Sequence, residues 1–393
     1  MQSMTRLLCY SAACGLAFPL LMAGGAQAKR SETLLYSFTG GADGGNPYAG
    51  LIEDKSGNFY GTTVEGGPHG VGTVFKLAPD GTETVLSSFT GANGSYPLGV
   101  LIMDTIGNLY GTTSSGGANG DGTVFKVAPD GTETVLWSFA GADGSGPQAG
   151  LIMDKKGKLY GTTVFGGAHN AGTVFKVAPD GTKKKVLHSF DGADGFAPLG
   201  GLIMDKQSNL YGTTEEGGAG CDGNGCGTVF KLAPDGTETV LYTFCLQAGC
   251  TDGVFPSGTM IMDKSGNLYG TAEADGAGGN GTVFELAPNG TATVLWSFTG
   301  ADGAAPQAGL IMGKGGNLYG TTLFGGANNF GTVFKLSPDG TEKVLYSFDS
   351  AANGADGFLP YAGLIKDTSG NLYGTTYGGG ATGNGAVFEI AKH

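Results

Sequence analysis

The sequence predicts a seven-bladed β-propeller with four antiparallel strands per blade, closed by an amino-terminal strand that completes the last blade. Three observations predict it. The tetrapeptide Tyr-Gly-Thr-Thr, or a close variant, begins at Tyr60, Tyr110, Tyr160, Tyr211, Tyr269, Tyr319 and Tyr373, at spacings of 50, 50, 51, 58, 50 and 54 residues. Each repeat holds four short apolar stretches separated by turn signals. The two ends of the chain are complementary: the last repeat stops at its third stretch, Ala386–Ile390, whereas residues 32–38 read like the fourth stretch at residues 342–348.

The elements follow from one repeat, residues 147–190. Its apolar stretches span 150–154, 158–163, 172–178 and 184–190 and are rich in Val, Leu, Tyr, Phe and Thr, as strands are. Between them stand Asp-Lys-Lys-Gly and Pro-Asp-Gly. There Pro presets φ, Asp bonds its own turn and Gly accepts a positive φ. No segment of the exported chain sustains a 3.6-residue apolar period, so it should be nearly all β. Strands apolar on both faces, as in Leu-Ile-Met and Thr-Val-Phe, suit a sheet held between two other sheets. One fifty-residue unit cannot bury both faces alone, so residues 29–393 should form a single domain. Blade seven would then be shared between residues 31–38 and 360–391. The innermost strands carry Met103, Met153, Met204, Met262 and Met312 at one position, and Glu53 and Lys366 there in blades one and seven. Closure would make those two blades neighbours, and a Glu53–Lys366 contact is expected across the seam.

Composition bounds the rest. Glycine supplies 78 of 393 residues without a Gly-X-Y register, which excludes collagen, and 40% hydrophobic residues exclude disorder. The amino terminus has Arg6, an apolar run and Ala-Gln-Ala at 26–28, the signature of a signal peptide over residues 1–28. Its removal leaves 20 basic against 34 acidic residues, a net −14 that repels nucleic acid and anionic lipid. The exported chain has no further stretch able to span a bilayer, so a monomer, secreted or periplasmic, is expected. Cys9 and Cys14 leave with the signal; Cys221, Cys226, Cys245 and Cys250 all stay in the fourth repeat. An even count in an exported chain favours disulfides over zinc, because four residues separate each pair and no His lies nearby. Three pairings are possible; the local ones, Cys221–Cys226 and Cys245–Cys250, are preferred.

The string Asn-Leu-Tyr-Gly-Thr-Thr-x-x-Gly-Gly, followed by Gly-Thr-Val-Phe-Lys-Leu-x-Pro-Asp-Gly, resembles the repeat of the GloVer tandem-repeat proteins over essentially the whole exported chain. That resemblance implies export, a carboxy-terminal anchor and no established activity. This chain departs from that pattern by ending at His393 without such an anchor, which puts the surface attachment that the resemblance implies in doubt. The Asp-x-x-Gly-Asn-Leu-Tyr text is also similar, more distantly, to NHL-type and gluconolactonase-like propellers, which implies a fold and no chemistry.

Candidate sites come from the loops. In a blade the second-to-third and fourth-to-first loops share one face, and here both vary while the opposite turns are stereotyped. After each blade's opening proline stand Tyr48, Leu98, Gln148, Leu199, Ser257, Gln307 and Tyr361. Two residues beyond Thr-Thr stand Glu65, Ser115, Phe165, Glu216, Ala274 and Phe324. Tyr48, Gln148, Gln307, Tyr361, Glu65, Phe165, Glu216 and Phe324 are the candidate ligand-binding residues, because aromatics mixed with amides and carboxylates suit a sugar or peptide. Asp54, Asp104, Asp154, Asp205, Asp263 and Asp367 could ring a calcium ion, but each opens a tight turn it can bond itself. No catalytic constellation and no cofactor are expected. The partner is an extracellular glycan, peptide or envelope protein. The alternative is a lactonase-like hydrolase or a polysaccharide-lyase-like enzyme acting in the central channel.

Overall fold

The repeat text becomes seven sheets because the two middle strands of each repeat bury both faces against neighbouring sheets. In a computed structural model that describes residues 32–221, 225–246, 249–349 and 356–392, every sheet has four antiparallel strands, consecutive in sequence in six of the seven. Blade one is representative: Ile52–Glu53, Phe59–Thr63, Thr73–Leu77 and Glu83–Ser88 run from the innermost strand to the outermost. The signal peptide and His393 lie outside the described residues.

The seam closes as expected. Glu32–Ser37 pairs antiparallel with Ala386–Ile390, with Glu32 opposite Ile390 and Ser37 opposite Ala386. The order of that sheet places the amino-terminal strand outermost, beyond the three strands of the last repeat. The final sheet thus gains its outer strand from the start of the chain, and its third strand is left with no open edge.

The core is distributed between blades. Seven apolar clusters of similar make-up occur, each drawn from two consecutive blades, and the one joining blades seven and one is no exception. At every seam a Phe closing one outer strand meets the Phe of the next blade's Thr-Val-Phe edge-on. Examples are Phe38 on Phe75 at 5.0 Å and Phe348 on Phe388 at 5.2 Å. Offset edge-to-face rings are the favoured aromatic geometry, and these rings are essentially free of solvent. The second strand's Gly has a matching role. Gly61 lies opposite Phe75, and a Cβ there would stand 2.7 Å from the ring.

The innermost strands are shorter than the sequence suggests. Blade three pairs only Ile152–Met153 where residues 150–154 were expected. The residues before it leave the ladder to pack on neighbouring blades. Thr112 donates to the Ala149 carbonyl at 2.9 Å, and Thr375 donates to the Ala49 carbonyl across the closing seam at 3.0 Å. Gly99 and Gly150 allow close backbone approach there, since a Cβ on either would stand 2.5–2.8 Å from a neighbouring carbonyl oxygen. This crowding positions the channel mouth.

The expected Glu53–Lys366 contact does not form. Lys366 turns to blade six instead, its Nζ 4.1 Å from the centre of the Tyr319 ring. Gly313 makes room for it: a Cβ there would stand 3.1 Å from that Nζ. Blade six lacks the turn Asp that binds the matching Tyr elsewhere, which leaves the face of Tyr319 to a cation.

Candidate ligand site at the channel mouth

Both variable loop sets do share one face. In each blade a backbone bridge ties them together, Gly45 to Glu65 in blade one and Ser145 to Phe165 in blade three. At the seam between blades seven and one, three tyrosines converge. Tyr48 stacks on Tyr361, centroids 4.5 Å apart and planes 24° apart. Tyr377 meets Tyr361 edge-on at 5.5 Å and Tyr48 at 6.5 Å.

Three carboxylates, Glu65, Glu215 and Glu273, act on this stack electrostatically. Burial first, then Tyr361, Glu273, Glu215 and Tyr377, push the Tyr48 hydroxyl well above its usual range. Burial, Tyr377 and Glu273 raise Tyr361 to about 12. Burial and Glu65 raise Tyr377. Glu215 and Glu273 belong to blades four and five, on the far side of the ring, so the hydroxyls are felt across the channel. The arrangement is a set of phenol donors opposite carboxylate acceptors. The stacked faces of Tyr48 and Tyr361 are largely occupied by each other.

The sequence reading therefore names part of this group. Tyr48, Tyr361 and Glu65 come together. Gln148 and Gln307 lie half-buried at the equivalent positions of blades three and six, and Ser257 donates to the Gln307 carbonyl at 3.5 Å. Phe165 turns toward Phe196 at 6.3 Å, while Glu216 and Phe324 pair through their backbones with Phe196 and Ala304 in the loop rim. Glu215, Glu273 and Tyr377 were missed, because the residue immediately after Thr-Thr reaches the tyrosines as well as the one beyond it. A signal existed: that position reads Val64, Ser114, Val164, Glu215, Glu273, Leu323 and Tyr377, with two acids and a phenol in an otherwise small or apolar column.

The stereotyped face is occupied by its own turns. Asp54 Oδ1 accepts from the amides of Ser56 and Asn58, and its Oδ2 accepts from Asn58 Nδ2 and the Tyr60 hydroxyl. Burial opposes the charge, but these donors outweigh it and hold the carboxyl below its usual range. The same bonds recur at Asp104, Asp205 and Asp263, which spends each carboxylate on its turn.

Among the described residues, two groups bring three or more ligand-type atoms within 4.8 Å of one another. Neither includes a channel residue. One is the four cysteines, paired as Cys221–Cys226 and Cys245–Cys250 with Cα–Cα separations of 5.5 and 4.2 Å. The other is His188, Asp194 and Glu238 at the rim between blades three and four. His188 Nε2 lies 2.7 Å from Asp194 Oδ2, the bond that a Tyr or Trp makes at the same place in other blades.

The Gloeobacter/Verrucomicrobia repeat matches residues 11–225 and 205–388. The chain belongs to that family. No protein of curated function matches it by sequence. In structure it is similar to virginiamycin B lyase from Staphylococcus aureus, at TM-score 0.60 and 14% identity over 93% of this chain and 99% of that one. It is also similar to PorZ, a bacterial surface component of the type-IX secretion system of Porphyromonas gingivalis. There the TM-score is 0.55 and the identity 14%, over 88% of this chain and 46% of the other. A gluconolactonase from Xanthomonas campestris overlaps at TM-score 0.45 and 16% identity, over 75% and 86% of the two chains. At such identities the likenesses to the lyase and to PorZ show a propeller and nothing of its chemistry. Among the described residues no helix is long and apolar enough to cross a membrane.

Proposed function

We propose that this protein is an exported binding module that takes a carbohydrate at the channel mouth on the variable-loop face. The observation that carries the reading is the convergence of Tyr48, Tyr361 and Tyr377 with Glu65, Glu215 and Glu273. Phenol hydroxyls donate and carboxylates accept, which matches a polyol whose hydroxyls do both. The mutual stacking of Tyr48 and Tyr361 leaves their polar edges for recognition and disfavours a cage of open aromatic faces for a cation. The signal-like residues 1–28, the acidic net charge and the paired cysteines support export, to the periplasm or beyond. We also propose that both cysteine pairs are disulfides in the exported protein.

Glycan-array screening of the mature chain tests the reading. Tyr48→Phe, Tyr361→Phe and Glu273→Gln preserve shape while removing donors or acceptors, and each should weaken binding about tenfold. Failure to retain any glycan, or binding by all three variants as tight as that of the native chain, would refute it. The lyase or hydrolase reading would gain from turnover of a sugar or lactone that Glu215→Gln and Glu273→Gln abolish.

A further inference from the structure

The seven rims between blades are built to one plan, and one of them is incomplete. At each rim the outer strand opens with a residue that faces the loop of the preceding blade. These residues are Glu83, Glu133, Lys184, Glu238, Ala292, Glu342 and Glu32 in blades one to seven, all at the same register position. The facing loop offers Asp43, Asn93, Asp143, Asp194, Asp252, Asp302 or Asp356. Each of these accepts from its own segment, and an aromatic side chain supplies the donor in most blades, as Tyr36 does for Asp43 and Trp296 for Asp302.

Between blades four and five the facing residue is Ala292. Its short side chain leaves a cavity of about 160 Å³, walled by Phe244, Phe284 and Val294 and opened to solvent beside Thr251. Asp252 lines that cavity and is only 8% exposed. Its Oδ2 accepts from the Tyr242 hydroxyl at 2.8 Å and the Cys245 amide at 3.0 Å. Its Oδ1 is buried and has no partner. A buried acceptor without a donor costs about 1–3 kcal/mol, so the site is poised for a group that supplies one.

Another rim shows what fits. Between blades two and three, Lys184 stands where Ala292 does, and its Nζ lies 5.9 Å from the centre of the Trp137 ring. Trp137 in turn donates to Asp143 at 2.9 Å, as Tyr242 does to Asp252. The chain thus places an ammonium over the aromatic ring that binds the aspartate at one rim and omits it at another.

We infer that the cavity lined by Asp252, Tyr242 and Ala292 binds a primary ammonium group carried on a short alkyl chain. The carboxylate supplies charge and an acceptor, the aromatic walls take the methylenes, and the opening at Thr251 admits the chain from solvent. This site lies on the outer rim and is independent of the channel mouth.

The test uses the full mature protein in low-salt buffer, titrated with n-butylammonium and followed by NMR or calorimetry. Saturable binding in the millimolar range or tighter is expected. Asp252→Asn should weaken it about tenfold or more. Ala292→Lys should abolish it by filling the site from within, and because it copies a rim already present it should fold. Loss of binding in both variants supports the inference. Absence of binding in the native protein, undiminished binding in either variant, or equal displacement by potassium overturns it. A parallel titration with Nα-acetyl-lysine methylamide separates the two sources: tighter binding than butylammonium marks a lysine of a polypeptide, and weaker binding marks a free amine.

Discussion

Glu342→Gln isolates the electrostatic cost of the rim. Glu342 sits partly buried against the loop bearing Asp302, and its Oε1 has no hydrogen-bond partner. Burial first, and Asp302 second, raise it from an ordinary value of 4.5 to about 8. The folded protein therefore holds this proton more tightly than the unfolded chain. Its contribution to stability is full below about pH 4.5 and is lost as pH rises toward about 8. At 1.36 kcal/mol per unit the gap corresponds to about 5 kcal/mol, which solvent screening at a partly exposed rim reduces to about 1–2 kcal/mol. Gln cannot ionise, so the variant escapes this loss. Relative to the native chain, Glu342→Gln should gain about 1–2 kcal/mol between about pH 5 and about pH 8. For a domain of this size that is a rise in Tm of about 1–3 °C at the higher pH. Thermal unfolding followed by circular dichroism across that range measures it. Superimposable pH profiles for the two proteins would refute the reasoning. Glu32, also raised to about 8, and Glu83 and Glu238, raised to about 7, should make the whole propeller more stable in mild acid than in mild base.

Three further outcomes are expected. Phe175→Ala removes one partner of the edge-on pair with Phe139 and should cost about 3–5 kcal/mol in denaturant unfolding, with a loss under about 1 kcal/mol counting against the seam as the core. Removal of residues 32–38 exposes the edge of Ala386–Ile390, so size-exclusion chromatography should show aggregation that a synthetic peptide of that segment reverses. A stable, monomeric truncated chain would contradict closure by the amino-terminal strand. Under non-reducing conditions the intact mass should fall short of the fully reduced chain by four hydrogens, and elemental analysis should find no stoichiometric zinc. Free thiols with one zinc per chain would mean that the four clustered sulfurs ligate a metal.

Much of the fold was legible because a repeat reports the same local physics seven times. Pro-Asp-Gly and Asp-x-x-Gly mark turns through backbone preference, and doubly apolar strands demand a sheet on either side. The match between residues 32–38 and 342–348 forecast the closing strand. Less was legible where a side chain has a choice of neighbour. Opposite charges at Glu53 and Lys366 suggested a contact, but the space left by Gly313 drew Lys366 onto Tyr319 in blade six. Tyr48 and Tyr361 were readable as candidates at the mouth, though their stacking on each other was not. Glu215, Glu273 and Tyr377 were not, because a shift of one residue along a loop decides whether a side chain meets the channel or the rim.

By itself, then, the sequence determined the number of blades, the strand order and the means of closure, since these depend on periodicity and on interactions within one repeat or between its two ends. Only the tertiary structure decided which residues converge at the mouth and which rim stands incomplete. Those depend on where loops from blades distant in sequence meet in space, and on the volume left when one side chain, Ala292, is shorter than its six counterparts.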